Sequence, residues 1–115
     1  MAVTIYHNPR CSKSRTTLGL LRDKGVEPEI VEYLKEPPDA ATLGRLLAML
    51  RLEPRDLMRK KEPEYKENDL GNPSLSREEL IAAMVAHPKL IERPIVVKGD
   101  IAILGRPPER VLDLL

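Results

Sequence analysis

The sequence predicts an α/β fold: a mixed four-stranded sheet flanked by helices, with a helical insertion between a β-α-β half and a β-β-α half. Three observations predict it. The opening stretch "AVTIY" is rich in β-branched residues, and it leads through Asn8-Pro9 into a leucine-bearing helical stretch and then the alternating "EIVEYL". Near the other end, "RPIVVKGDIAIL" sets two apolar runs around Lys98-Gly99-Asp100, the pattern of a hairpin. Between these halves, leucines recur at helical spacing. A strand–helix–strand start implies a right-handed parallel crossover, and the closing hairpin adds antiparallel strands.

Each element has its own signal. "AVTIY" reads as a buried strand that stops at the Asn8-Pro9 turn. Residues 12–24 read as a helix with Leu18, Leu20 and Leu21 on its apolar side and Gly25 as its C-terminal stop. "EIVEYL" alternates apolar and charged positions and predicts a second strand over 29–34. Pro37 and Pro38 break the chain, and Asp39 is placed to cap a helix carrying Leu43, Leu46, Leu47 and Leu50. A short helix is expected over 53–58, then a long irregular connection in "KKEPEYKENDLGNPS". Ser76 and Glu79 form a capping box for a helix running to about His87, with Leu80, Ile81, Met84 and Val85 inward. The hairpin follows. "RPPERVLDLL" then places prolines where a last helix begins, with Val111, Leu114 and Leu115 on one face. This order is that of the thioredoxin and glutaredoxin fold with a helical insertion.

Composition bounds the rest. The 115 residues suit one domain spanning 1–115, with a single core. There is no Trp and no Phe, so the core must be aliphatic. Nineteen basic against eighteen acidic residues, a net charge of +1, offer no global attraction to nucleic acid or to a membrane. A single cysteine, Cys11, excludes an internal disulfide, and with only His7 and His87 beside it a zinc finger is excluded too; no metal is expected. The N-terminal stretch carries no basic-then-apolar signal pattern and no apolar run approaches spanning length. A cytoplasmic, thiol-reducing setting and a monomer are expected.

The chemistry centres on "HNPRCSKSRTTL". Cys11 follows a strand, a turn and a proline, and stands where the first helix begins. Unpaired N–H groups there carry partial positive charge and favour a thiolate. Arg10, Lys13 and Arg15 add the same bias. A lone cysteine is commonly a small buried hydrophobe, but such cysteines sit in strands or on apolar helix faces, and this one sits in a polar turn. Ser14 stands where a second cysteine would complete C-x-x-C, so turnover through Cys11 needs an external thiol. Ser14 is placed either to hydrogen-bond the thiolate or to satisfy a backbone N–H. Cysteine phosphatase chemistry needs C-x5-R, and position 17 is Thr.

Three arginines stand at element boundaries: Arg59 in "LMRKKEPEY", Arg93 in "ERPIVV" and Arg106 in "LGRPPE". Each alone is readily just a solvated loop residue. Together with a nucleophilic cysteine they point to a planar, multi-point grip on an anionic substrate.

"TIYHNPRCSKSRTTL", "LMRKKEP", "HPKLIERPIVV" and "LGRPPERVLDLL", taken together, resemble the glutaredoxin-dependent arsenate reductases, in order and spacing, over nearly the whole chain. The resemblance implies a thioredoxin-like fold with a helical insertion. It implies an oxidoreductase of arsenic resistance in which Cys11 attacks arsenate or a similar oxyanion. Glutathione as co-substrate and glutaredoxin as partner would then complete reduction to arsenite, with no bound cofactor. By motif, Arg59, Arg93 and Arg106 become the substrate-binding arginines, His7 and Ser14 the supports of the thiolate, and Pro94 a cis-proline beside the site. Two departures are visible: familiar members continue past the position of Leu115, and Ser12 and Lys13 replace smaller, uncharged residues. Two other functions share parts of the pattern. Spx-type thiol-stress regulators, which bind RNA polymerase, share the fold and the "HP…L…RPI" motif, but their switch is usually C-x-x-C. A glutathione-linked monothiol oxidoreductase would use Cys11 but has less need of three separated arginines.

Overall fold

The computed structural model describes residues 2–115, which form two compact units. One joins the chain up to Glu36 with Arg93–Leu115; the other is Pro37–Glu92.

The first unit holds the sheet. β1 (Val3–Tyr6), β2 (Glu29–Val31), β3 (Ile95–Lys98) and β4 (Ile101–Leu104) lie in the order β2-β1-β3-β4. β1 pairs in parallel with β2 and antiparallel with β3, and β3 pairs antiparallel with β4. This is the mixed sheet of a thioredoxin-like fold. β1 is central because its β-branched residues suit a strand paired on both sides; Val3 and Ile5 are buried. The β3–β4 turn has only Gly99 and Asp100 between paired Lys98 and Ile101. Gly99 has φ 62°, the first central position at which a type II′ hairpin needs glycine.

α1 (Ser12–Asp23) ends in a Schellman motif. Gly25, at φ 77°, donates to the Arg22 carbonyl, and Val26 donates to that of Leu21. Leu18 and Leu21 of α1 pack with Val3, Ile5, Val96 and Val111 into one aliphatic cluster. Complete burial of such side chains contributes ~1.5–3 kcal/mol each.

Two expectations in this unit need correction. The second strand covers three residues rather than 29–34, and Ile30 is exposed. β2 is an edge strand, so its alternation does not mark a buried face. The chain turns at once after it, with the Lys35 and Glu36 N–H groups donating to the Glu32 carbonyl. The last helix, Pro108–Leu114, is a 3-10 helix. With three residues per turn, Val111 and Leu114 stack on one side against the core. Leu115 does not share that side and is exposed.

The second unit is helical. α2 (Ala40–Leu50) is capped by Asp39, whose carboxylate accepts from the Thr42 N–H at 2.8 Å. It buries Leu43, Leu46 and Leu47; Leu50 is half-buried. A 3-10 turn, Pro54–Leu57, follows. The connection expected to be irregular contains a short helix, α3 (Pro63–Glu67), with Pro63 in its first turn. Arg55 orders the stretch after it by donating to the Leu70 carbonyl at 3.0 Å and the Asn72 carbonyl at 2.6 Å. α4 (Arg77–Ala86) has both arms of its Ser76/Glu79 capping box, packs on α2, and buries Leu80, Ile81 and Met84, with Val85 half-buried. A 3-10 turn at Pro88–Leu90 brings Ile91 beside Met58 in a single antiparallel bridge. No helix among the described residues is long and apolar enough to cross a membrane.

Candidate active site

Asn8 builds the turn that presents the cysteine. Its carbonyl accepts from the Cys11 N–H at 3.0 Å, closing a four-residue turn through Pro9 and Arg10. Its side-chain carbonyl accepts from the Arg10 N–H at 3.0 Å, an Asx turn. Its own N–H donates to Ser14 Oγ at 3.1 Å. In the sequence Asn8-Pro9 marks the end of the strand; the side chain's further role is a local one that Asn before Pro announces.

Cys11 is the N-cap residue of α1, half-buried and extended, at φ −93° and ψ 122°. The sulfur closes no full capping hydrogen bond. Burial pushes the thiol pKa up. The Ser14 N–H, the Arg93 charge, the Lys13 N–H and a hydrogen bond from Arg93 together outweigh it, and the thiol lies below its ordinary value. The thiolate is thus favoured by a helix start and one guanidinium, as nucleophilic cysteines require.

Of the basic residues near Cys11 in sequence, Arg15 turns away from this task. Its Nη1 donates to the Pro9 carbonyl at 2.9 Å and so braces the turn from outside. The charge that reaches the sulfur comes instead from Arg93, at the entrance to β3. Arg106 follows β4 and donates from Nη1 to the Arg93 carbonyl at 3.3 Å. The hairpin explains the meeting. Paired Ile95 and Leu104 put the residues before β3 and after β4 at the same end of the sheet. The Arg93-Pro94 peptide is cis, and so is Arg106-Pro107.

His7 is buried, and its Nδ1 lies 2.6 Å from Ser14 Oγ. Burial is the largest influence on its pKa; Glu32 opposes it, and Arg22 and Arg15 add to it. The result is below the ordinary histidine value, so neutral imidazole dominates at neutral pH. His7 therefore bears on the turn by hydrogen bonding through Ser14 rather than by charge. Ser14 supports the sulfur with its backbone N–H, while its hydroxyl joins His7 and Asn8. Arg59 belongs to the helical unit. There its guanidinium pairs with Glu62 at 2.7 Å, and its N–H donates to the Leu90 carbonyl at 2.7 Å.

One unit therefore gathers Cys11, His7, Ser14, Arg93 and Arg106, with the Cys11 thiol pKa lowered by two N–H donors and the Arg93 guanidinium. That arrangement suits attack on a tetrahedral oxyanion.

The model of the ArsC family matches residues 6–114. The protein YfgD of Escherichia coli strain K12, described as uncharacterized, is 60% identical over 98% of this chain and 96% of its own length. A protein of Rhizobium meliloti named arsenate reductase is 50% identical over 100% of this chain and 82% of its own length. The solved structure of an arsenate reductase from Vibrio cholerae superposes with a TM-score of 0.97 at 54% identity, over 100% of this chain and 98% of that one.

Proposed function

The chain belongs to the ArsC family, and from that membership we propose that it is an arsenate reductase in which Cys11 is the nucleophile. The observation that carries the reading is Cys11 at the start of α1 with Arg93 on its sulfur and Arg106 anchored to the Arg93 backbone. The thiolate attacks arsenic and an oxygen leaves as water, giving a thiol–arsenate adduct. Reduction of As(V) to As(III) takes two electrons, which two thiols supply as they become one disulfide. Cys11 is the only thiol in the chain, so the second is external. Glutathione fills that role in this reading. Arsenite leaves, and glutaredoxin resolves the mixed disulfide on Cys11. Arg93 and Arg106 hold the anion. The site is proposed to work without a bound cofactor, in the cytoplasm.

The test is arsenite formation by purified protein supplied with arsenate, glutathione and glutaredoxin. Activity is expected with all three and lost on omitting either donor. Cys11→Ser is expected to be inactive while retaining its fold. Turnover that survives Cys11→Ser would sink the proposal. Turnover with glutathione alone would remove glutaredoxin from it.

A further inference from the structure

Gly105 stands at a junction that neither the fold nor the proposed chemistry accounts for. It is buried, directly after β4 and directly before Arg106. Its N–H donates to the Pro94 carbonyl at 3.0 Å. A Cβ built on it would lie 2.7 Å from Thr17 Oγ1, 3.1 Å from Thr17 Cγ2 and 2.9 Å from Pro94 Cγ. Real Cβ atoms do not approach that closely, so a side chain there would force a shift.

Neither neighbour yields easily. Thr17 is buried, stiff at χ1, and fixed by its hydroxyl donating to the Lys13 carbonyl at 2.8 Å. Pro94 is a ring on the backbone next to Arg93. The backbone at 105 is therefore in van der Waals contact with α1 on one side and with the Arg93-Pro94 segment on the other. We propose that Gly105 is a positioning residue, whose missing side chain seats the Arg93 and Arg106 segments against α1 and thereby holds the Arg93 guanidinium on the Cys11 sulfur. A methyl group at 105 wedges the arginine segments away from the helix start. The two N–H donors remain, because they belong to α1 itself; the arginine contribution weakens.

Cys11 is the only thiol, so the pH profile of its alkylation by iodoacetamide reads one group, independently of arsenate turnover. The rate follows the thiolate fraction. Gly105→Ala is expected to raise the midpoint by on the order of one pH unit, slowing alkylation about tenfold below it. Thr17→Ala removes two of the three obstructing atoms, so the pair Thr17→Ala with Gly105→Ala is expected to recover at least half of that shift. A folded Gly105→Ala with the wild-type midpoint overturns the proposal. So does a double variant whose midpoint stays where Gly105→Ala puts it. If Gly105→Ala alone does not fold, the double variant decides: folding with the midpoint of Thr17→Ala supports the wedge, and failure to fold or a raised midpoint overturns it.

Discussion

Arg93 and Arg15 stand close to the same sulfur by different measures, and only one of them acts on it. Arg15 is near in sequence, but its guanidinium is spent on the Pro9 carbonyl. Arg93 is remote in sequence, yet its charge and its hydrogen bond both lower the Cys11 pKa. An opposite charge at contact range typically moves a pKa by about one to three units, more than an exposed arginine engaged elsewhere can do through water. Arg93→Ala is therefore expected to raise the midpoint of Cys11 alkylation by about one unit or more, and Arg15→Ala to leave it in place. Equal shifts in the two variants would show that Cys11 senses a diffuse basic field and not a particular partner. The turn motif makes the helix-start position of Cys11 legible from sequence, because helix start, turn and polar setting are all local. Arg93 is legible as a boundary arginine and, through the family resemblance, as a substrate-binding one; its aim at the sulfur depends on a pairing across the sheet that no local pattern encodes.

At the level of elements, signals that satisfy backbone groups read more clearly than signals of burial. Asp39, Gly25 and the Ser76/Glu79 pair each occupy the position their chemistry demands, since an orphan N–H or carbonyl at a helix end has few alternatives. In the capping box, Glu79 N–H donates to Ser76 Oγ at 3.1 Å and Ser76 N–H donates to Glu79 Oε1 at 3.0 Å. Ser76→Ala removes the first of these and is expected to cost ~1 kcal/mol of stability, read as a lowered denaturant midpoint with unchanged slope. Ser76→Asp is expected to restore most of it, because a carboxylate both accepts the N–H bond and suits the positive end of α4. A Ser76→Ala midpoint matching the wild type would mean that water replaces the cap without loss. Burial signals misled where the environment was unusual. Ile30 alternates as a core residue would, but it lies on an edge strand. α3 has no buried residue at all, so no apolar period announced it; Pro63 in its first turn was the available clue. The terminal run was legible as helical, while its tighter 3-10 pitch, which decides that Val111 and Leu114 face inward and Leu115 does not, follows from what it packs against.

Across the whole molecule, the site adds its own slope to stability, and two buried or paired groups give it the same sign. The unfolded chain keeps the Cys11 proton up to ~8.5, whereas the folded chain releases it earlier because the thiolate is favoured. Between those values the unfolded state holds more protons, so stability rises with pH. The contribution is complete above ~8.5 and is lost as pH falls through the folded value. His7 behaves alike for the opposite electrostatic reason. The unfolded imidazole takes a proton below ~6.5, and the buried one resists it. Here too the unfolded state holds more protons, so stability declines as pH falls from ~6.5 through the folded value. Thermal midpoints are expected to climb with pH in two steps, an acidic one complete at ~6.5 and an alkaline one complete at ~8.5. Cys11→Ser is expected to flatten the alkaline step and spare the acidic one. His7→Asn keeps an acceptor near Nδ1 for Ser14 but cannot titrate, and is expected to flatten the acidic step and spare the alkaline one. Should Cys11→Ser keep the full alkaline rise, the thiolate preference of the folded state would belong to other groups, and the pairing of Arg93 with Cys11 would lose its energetic meaning.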